Sequence, residues 1–137
     1  MSERDARAVP QRLLEQAREV SEHAHSPYSG ARVGAAVSCG EEQVFIGCNV
    51  ENASYGLTQC AERNALNAAI AHGVKRGEMD EMVIYASGFQ RLSPCGACRQ
   101  VMIELMAPDA VVHCCNEGGE VSSWSVNQLF PEPFVLE

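Results

Sequence analysis

Hydrophobic residues recur with two different spacings along this chain. Between residues 6 and 24 they return every three or four positions, which predicts an amphipathic helix with one buried stripe. Short apolar runs separated by polar links predict strands, and the first two of them form a hairpin. The predicted strands are 32–39, 43–50, 80–87, 110–115 and a short one at 120–124.

Two further helices are predicted from segments rich in alanine and leucine that carry end signals. Their bounds are 59–73 and 94–106. The first would be capped by Thr58 and closed by Gly73. The second would be capped by Ser93, with Pro94 as its first helical residue.

The order of these elements indicates the fold class. Helix, two strands, helix, strand, helix and two strands follow one another, with one more helical turn expected at 125–130. Helices in this order must cover both faces of a sheet. The sequence therefore predicts an α/β protein, a three-layer α/β/α sandwich around a mixed sheet of about five strands. Because no long linker divides the chain, residues 1–137 are predicted to form a single domain.

Net charge and hydropathy indicate which classes of partner the protein is expected to bind. The net charge of −8, from 10 basic and 18 acidic residues, would repel a polyanion, so we expect a small, uncharged ligand and no nucleic acid. No apolar run reaches the roughly 18–20 residues that span a bilayer, so no membrane partner is expected. The first residues lack the apolar core of a signal peptide, and a cytoplasmic location is the expectation.

The seven cysteines point to metal binding or buried thiols and not to a disulfide framework, because their number is odd and no export signal is seen. Four lie in apolar, strand-like segments and are expected to act as small buried hydrophobes. These four are Cys39, Cys48, Cys114 and Cys115.

The other three cysteines form a candidate metal centre. They lie in the motifs Cys60-Ala61-Glu62-Arg63 and Pro94-Cys95-Gly96-Ala97-Cys98-Arg99. Three thiolates hold Zn²⁺ and leave its fourth position free for a water, which is the arrangement of a catalytic site. Glu62 would move the proton of that water without being a ligand. The combination indicates a zinc hydrolase.

Such a centre needs positive charge around it, because three thiolates leave the zinc negative and weaken it as a Lewis acid. Arg63 and Arg99, each beside a ligand, are expected to donate hydrogen bonds to the sulfurs. The N-termini of the two predicted helices, each worth roughly half a positive charge, would add to this.

Three motifs in this order are similar to those of a known family. They are Cys48-Asn49-Val50-Glu51-Asn52-Ala53-Ser54-Tyr55, Cys60-Ala61-Glu62-Arg63 and Ser93-Pro94-Cys95-Gly96-Ala97-Cys98-Arg99-Gln100-Val101. From about Pro27 to Phe134 the chain resembles the small, homotetrameric, zinc-dependent cytidine deaminases. The resemblance implies one Zn²⁺ per subunit and the hydrolytic deamination of cytidine or 2′-deoxycytidine to the uridine product and ammonia, a reaction of pyrimidine salvage.

The resemblance also implies residues that contact the substrate. Asn49 and Glu51 would hydrogen-bond the ribose hydroxyl. The backbone of Ala61, together with Glu62, would read the edge of the pyrimidine. Tyr28 is likewise assigned to the substrate site.

Contacts between subunits are implied at two aromatic residues. Tyr55 and Phe134 would enter a neighbouring subunit's pocket, so that a homotetramer shares its substrate sites. A polar stretch near the C-terminus contains Trp124, for which an oligomer contact is a further hypothesis.

One position departs from the family's pattern. Where the family reads Tyr-Ser-x-Phe-x-Val-Gly, this chain has Ala31 in place of the aromatic, followed by Arg32. Loss of the aromatic would remove roughly 1–3 kcal/mol of base stacking, or leave room for a larger base. An alternative substrate is therefore a modified cytidine, a nucleoside antibiotic or another aminopyrimidine.

Other interpretations of the cysteines remain open from the sequence. Cys114 or Cys115 could close a structural zinc site, as in a non-catalytic zinc-binding module, and Cys95 with Cys98 could form a redox pair. The four histidines show no ligand spacing and are expected to be structural or on the surface.

Overall fold

A computed structural model describes residues 8–88 and 92–136 of the chain. Helices and strands follow one another in the predicted order, and a short 3₁₀ turn at Tyr55–Leu57 precedes the second helix. The elements are α1 (Gln11–Ser21), β1 (Arg32–Cys39), β2 (Gln43–Cys48), α2 (Ala61–Ala71), β3 (Met79–Ser87), α3 (Gly96–Leu105), β4 (Met106–Asn116), β5 (Val121–Ser125) and α4 (Val126–Leu129).

The strands form one five-stranded sheet in the order β2-β1-β3-β4-β5. The central strands β3 and β4 run parallel, whereas the other neighbouring pairs are antiparallel. A parallel pair needs a crossover connection, and α3 supplies it between β3 and β4. The prediction of a mixed sheet of about five strands is confirmed.

Helices cover both faces of this sheet. On one face, Leu13 and Ala17 of α1 pack against Val83 and Cys115 of the central strands. The opposite face carries α2, α3 and α4, and its core is built on buried side chains such as Met82. The predicted three-layer α/β/α sandwich is therefore confirmed.

Two strand glycines let the helices approach the sheet closely. A Cβ atom at Gly34 would lie 1.9 Å from the Ala17 carbonyl oxygen of α1. A Cβ atom at Gly47 would lie 2.5 Å from the Ala65 amide nitrogen and 2.7 Å from the Ala61 carbonyl oxygen. Since Ala61 is the first residue of α2, Gly47 sets the height above the sheet at which that helix begins.

Several predicted bounds need correction. The first helix begins at Gln11 and not at residue 6, because Pro10 is extended and serves as its N-cap. Residues 6 and 7 lie outside the described residues. The second strand ends at Cys48, beyond which Val50 pairs singly with His25 and Gln59. The fourth strand begins at Met106, earlier than predicted.

Burial tests the expectations for Trp124 and for the four cysteines outside the metal centre. Trp124 is buried in the core on the α2 side of the sheet, so the hypothesis that it forms an oligomer contact is wrong. Cys114 and Cys115 are buried as predicted, whereas Cys39 and Cys48 are only half-buried.

Among the described residues, no helix has the length and apolar character needed to cross a membrane.

Candidate active site

Two helices begin at the same end of the sheet, and a cysteine occupies the N-cap of each. Cys60 precedes α2 and Cys95 precedes α3, and neither side chain makes a capping hydrogen bond to its own helix. Their sulfur atoms are instead free to face each other, 4.0 Å apart. Cys98, in the first turn of α3, completes the group from a buried position.

The predicted capping residues of these helices are wrong. The Thr58 hydroxyl accepts a hydrogen bond from the Asn52 amide and so closes the preceding loop. Ser93 lies two residues before the N-cap of α3 and does not cap it. The usual preference for serine and threonine at N-caps misled the prediction, because the cap positions here carry sulfur side chains that point at one another. Gly73 does follow the end of α2 with a positive φ of 100°, as predicted.

The three sulfurs have the spacing that a zinc ion requires. Cys60, Cys95 and Cys98 place their sulfur atoms within 4.8 Å of one another. Thiolates about 2.3 Å from a tetrahedral zinc lie roughly 3.8 Å apart, close to the 4.0 Å between Cys60 and Cys95. Over residues 8–88 and 92–136, no fourth histidine, cysteine or carboxylate ligand joins the group. A closed structural site that includes Cys114 or Cys115 therefore has no support.

Protons and charge are unevenly shared among these sulfurs. A hydrogen bond from Cys98, assisted by Arg63, lowers the pKa of Cys60 to about 5. The same bond and burial raise the pKa of Cys98 well above its usual range. Such a group holds one thiolate readily, and a bound cation would displace the remaining protons.

Glu62 is the second residue of α2 and lies two positions after the proposed ligand Cys60. It is 6% exposed and contributes to the wall of the cleft that contains Cys60 and Cys95. Burial raises the pKa of Glu62 to about 7, and the nearby Cys60 sulfur adds to the rise. The structure thus places one buried carboxyl group beside the three sulfurs.

The two arginines next to the ligands have different partners. Arg63 donates from Nη2 to the Cys60 sulfur at 3.2 Å, as expected, and this sulfur raises the pKa of Arg63. Arg99 differs from the expectation. Its Nε donates to the Pro94 carbonyl oxygen at 2.8 Å and its Nη1 to the Leu129 carbonyl oxygen at 2.9 Å.

A cleft of about 310 Å³ opens beside the sulfurs. Its walls come from the segment that leads into β1, the loop after β2, the first turn of α2 and the residues just before α3. The lining residues are Ser29, Ala31, Val33, Asn49, Glu51, Thr58, Cys60, Ala61, Glu62, Leu92, Ser93 and Cys95. Ala31, where the sequence departs from the family pattern, therefore faces the cleft.

Asn49 and Glu51 line the cleft, and both also hold its wall together. The Asn49 side-chain Nδ2 donates to the Ala31 carbonyl oxygen at 3.0 Å, and its Oδ1 accepts from the Val33 backbone amide at 2.9 Å. Glu51 accepts from the Tyr28 amide at 3.0 Å and from the Ser29 hydroxyl. These bonds lower the pKa of Glu51, that from the Ser29 hydroxyl most of all.

The aromatic residues predicted to contact substrate or a neighbour lie at the surface. Tyr28 and Tyr55 line a second cleft of about 400 Å³, which shares Glu51 with the first. Tyr55 is 83% exposed, and Phe134 is 69% exposed. Within this one subunit the structure does not bring Phe134 to the sulfurs.

Sequence reasoning missed several wall residues of the first cleft. Thr58 was interpreted only as a helix cap, and Ser29 was given no role, although it precedes Ala31 in the motif that was analysed. Thr58 also holds Asn52, so its position beside the cleft follows from a loop that only the structure shows.

Comparisons with known proteins agree with this geometry. Residues 8–114 match the model of a family described as the cytidine and deoxycytidylate deaminase zinc-binding region. The cytidine deaminase of Halalkalibacterium halodurans is 42% identical over 127 residues, which cover 93% of this chain and 95% of that protein. The cytidine deaminase of Mycobacterium tuberculosis is 41% identical over 114 residues, covering 83% of this chain and 80% of that protein.

Solved structures show the same fold. The crystal structure of cytidine deaminase from Burkholderia pseudomallei superimposes with a TM-score of 0.87 at 45% sequence identity. That match covers 93% of this chain and 100% of the other. A crystal structure of cytidine deaminase from Mycobacterium tuberculosis gives a TM-score of 0.76 at 32% identity, over 92% of this chain and 97% of that one.

Proposed function

Because the chain belongs to the cytidine and deoxycytidylate deaminase family, we propose that it is a zinc-dependent hydrolase that converts cytidine or 2′-deoxycytidine to the uridine product and ammonia. One observation carries this proposal. A buried carboxyl group, Glu62, lines the same cleft as Cys60 and Cys95, whose sulfurs form with that of Cys98 a group spaced for zinc.

In the proposed reaction, Cys60, Cys95 and Cys98 would hold Zn²⁺, and the bound ion would act as a Lewis acid that lowers the pKa of water. Glu62 takes a proton from the attacking water while the water oxygen forms a bond to C4 of the pyrimidine. The carboxyl group passes this proton to the ring nitrogen. It then takes the proton of the new C4 hydroxyl and delivers it to the amino group, so that a C4 carbonyl forms as the C–N bond breaks and ammonia leaves. One carboxyl group that alternates between base and acid performs these transfers.

The walls of the cleft favour an uncharged nucleoside. Glu51 is held as an anion by the Tyr28 amide and Ser29, and it lies where the two clefts meet. Among the described residues that line these clefts, there is no lysine or arginine to bind a phosphate. Asn49 and Glu51 are proposed to contact the ribose, the Ala61 backbone the pyrimidine edge, and Tyr28 the outer part of the substrate site.

A substrate panel tests the proposal. Purified protein would be incubated with cytidine, 2′-deoxycytidine and deoxycytidylate, and ammonia release and ultraviolet absorbance would be followed. We expect turnover of both nucleosides and at least tenfold lower kcat/KM for the nucleotide, because about 1.4 kcal/mol of charge repulsion gives that ratio. Release of ammonia from a modified cytidine or another aminopyrimidine, with none from cytidine, would mean that the reaction is hydrolytic deamination but that the substrate is not cytidine.

We also propose that the protein works as a homotetramer with one zinc per subunit and with substrate sites shared between subunits. Exposed apolar side chains support this, among them Tyr55, Leu57 and Phe134. The backbone of Phe134 is held against α3 by a hydrogen bond of 3.2 Å from the Gln100 side chain to its carbonyl oxygen. Light scattering of the eluted protein should give the mass of four chains, and a monomer with full activity would contradict the shared sites.

We also propose that the protein acts in the cytoplasm, in pyrimidine salvage. A reducing compartment would keep the ligand thiols among the seven cysteines free, which supports the cytoplasm. The proposed conversion of a cytidine nucleoside to its uridine product is a reaction of pyrimidine salvage. We further propose that residues 1–137 form a single domain, since one sheet runs through the described residues.

A further inference from the structure

Arg99 follows the ligand Cys98 but makes its hydrogen bonds to two backbone carbonyls. Its Nε donates to the Pro94 oxygen at 2.8 Å, and its Nη1 donates to the Leu129 oxygen at 2.9 Å. The guanidinium group is planar, so these two donors are held in a fixed relative direction. Arg99 thus joins the approach to Cys95 with the end of α4.

The Pro94 end of this link bears directly on one ligand. Cys98 is buried within the first turn of α3, whereas Cys95 is exposed and precedes the helix with extended backbone angles. A side chain at an exposed N-cap has few packing contacts to fix it. The bond to Pro94, and the bond from the Arg99 amide to the Cys95 carbonyl oxygen at 3.0 Å, hold the backbone on both sides of Cys95.

The Leu129 end of the link is a firm anchor. The short helix α4 has a complete capping box, in which Ser125 and Gln128 bond each other's backbone amides. Val126 and Leu129 are buried in the same core as Cys98. A cation at the C-terminal end of a helix also satisfies a carbonyl that has no partner within the helix.

From this geometry we propose that Arg99 is a positioning residue for the zinc site, which fixes Cys95 through Pro94 by using α4 as its anchor. This proposal rests on the zinc site of the proposed function. It separates the two arginines, since Arg63 donates to a ligand sulfur and Arg99 holds the backbone that carries another.

The rate of zinc release from the purified holoenzyme to an excess of a coloured chelator tests this role. We expect Arg99→Ala to release zinc at least tenfold faster than wild type, since groups that orient a ligand are worth 10–100-fold in metal affinity. Arg99→Lys should lie between, because one ammonium group does not reproduce the planar pair of donors. The cobalt-substituted Arg99→Ala variant should also show an altered thiolate-to-cobalt absorption band.

A destabilised variant on the other face of the sheet serves as the control. Leu13→Ala removes a buried side chain of α1, and it should lower the melting temperature while zinc leaves at the wild-type rate. Zinc release from Arg99→Ala at the wild-type rate would overturn the proposal. So would release rates that follow melting temperature alone across the three variants. Wild-type protein that binds zinc but deaminates no substrate would overturn the proposed function alone, and protein that binds no zinc would overturn both.

Discussion

Each face of the sheet carries a group of three polar side chains. One group lies beside a cleft, and the other is hydrogen-bonded within itself. On the face covered by α2 and α3, the sulfurs of Cys60, Cys95 and Cys98 lie beside an open cleft. On the face covered by α1, His113 lies between Ser123 and Glu81, with 2.8 Å from Nδ1 to the serine oxygen and 2.7 Å from Nε2 to the carboxylate. That order of serine, histidine and carboxylate is also found in serine hydrolases.

Accessibility and free bonding capacity separate the two groups. His113 and Ser123 are 1% and 0% exposed, and both ring nitrogens of His113 already have partners. The sulfurs include an exposed one, and neither N-cap cysteine is used to cap its helix. A buried polar group with its hydrogen bonds made stabilises a fold, whereas a group with unused donor atoms beside a cleft can bind a ligand. We therefore assign ligand binding and catalysis to the cysteine group, and stabilisation of the fold to the group around His113.

The largest expected difference between the faces comes from the same substitution made on each. Glu62→Gln should reduce kcat by roughly 10²–10⁴-fold, because the amide cannot carry protons between water and substrate. Glu81→Gln should leave kcat within about twofold, since an amide oxygen can still accept the bond from His113 and the group does not touch the cleft. Steady-state kinetics with cytidine measure both.

Metal analysis of the same two variants sharpens the assignment. Zinc content should be unchanged in each, because neither carboxylate belongs to the sulfur group. Loss of zinc from Glu62→Gln would make Glu62 a ligand and refute the proton-transfer role. An inactive but folded Glu81→Gln variant would move the chemistry to the α1 face.

The sequence predicted the cysteine site on the α2 and α3 face better than the hydrogen-bonded group on the α1 face. Cys60, Glu62, Cys95 and Cys98 are recognisable because few other roles explain such residues at such spacing. The link between Glu81, His113 and Ser123 was not predictable, since it depends on the register of three strands, β3, β4 and β5. Arg99 shows the same limit, because its partner Leu129 lies on an element whose position the motif does not encode.

A second comparison uses the two glycines on which the helices rest. Gly34→Ala should cost more stability, because its Cβ would lie 1.9 Å from the Ala17 oxygen, against 2.5 Å from the Ala65 nitrogen for Gly47→Ala. Overpacking of this kind typically costs about 1–3 kcal/mol, seen as a lower free energy of unfolding in urea. Activity should follow the opposite order, since α2 carries Glu62 and α1 carries no residue of the cleft.

The two glycine variants are expected to differ in opposite directions for stability and for kcat. We expect Gly47→Ala to lose kcat in the folded protein and Gly34→Ala to keep it, when both are assayed at a temperature where unfolding is negligible. Equal losses of kcat would mean that the position of α2 above β2 does not determine the placement of Glu62.

The smallest expected effect lies within the buried group itself. Ser123→Ala removes one partner of His113 and leaves a ring nitrogen without it inside the protein, which typically costs about 1–3 kcal/mol. Removing both His113 and Ser123 should cost less than the sum of the single changes, because neither the ring nitrogen nor the hydroxyl is then left unpaired, and the partly exposed Glu81 can be solvated. Urea unfolding of Ser123→Ala, His113→Leu and the double variant measures that coupling. Zinc content and kcat should match wild type in all three, since a satisfied group on the α1 face has no path to the substrate. A kcat that falls with Ser123→Ala, at unchanged stability, would show that the two faces are coupled.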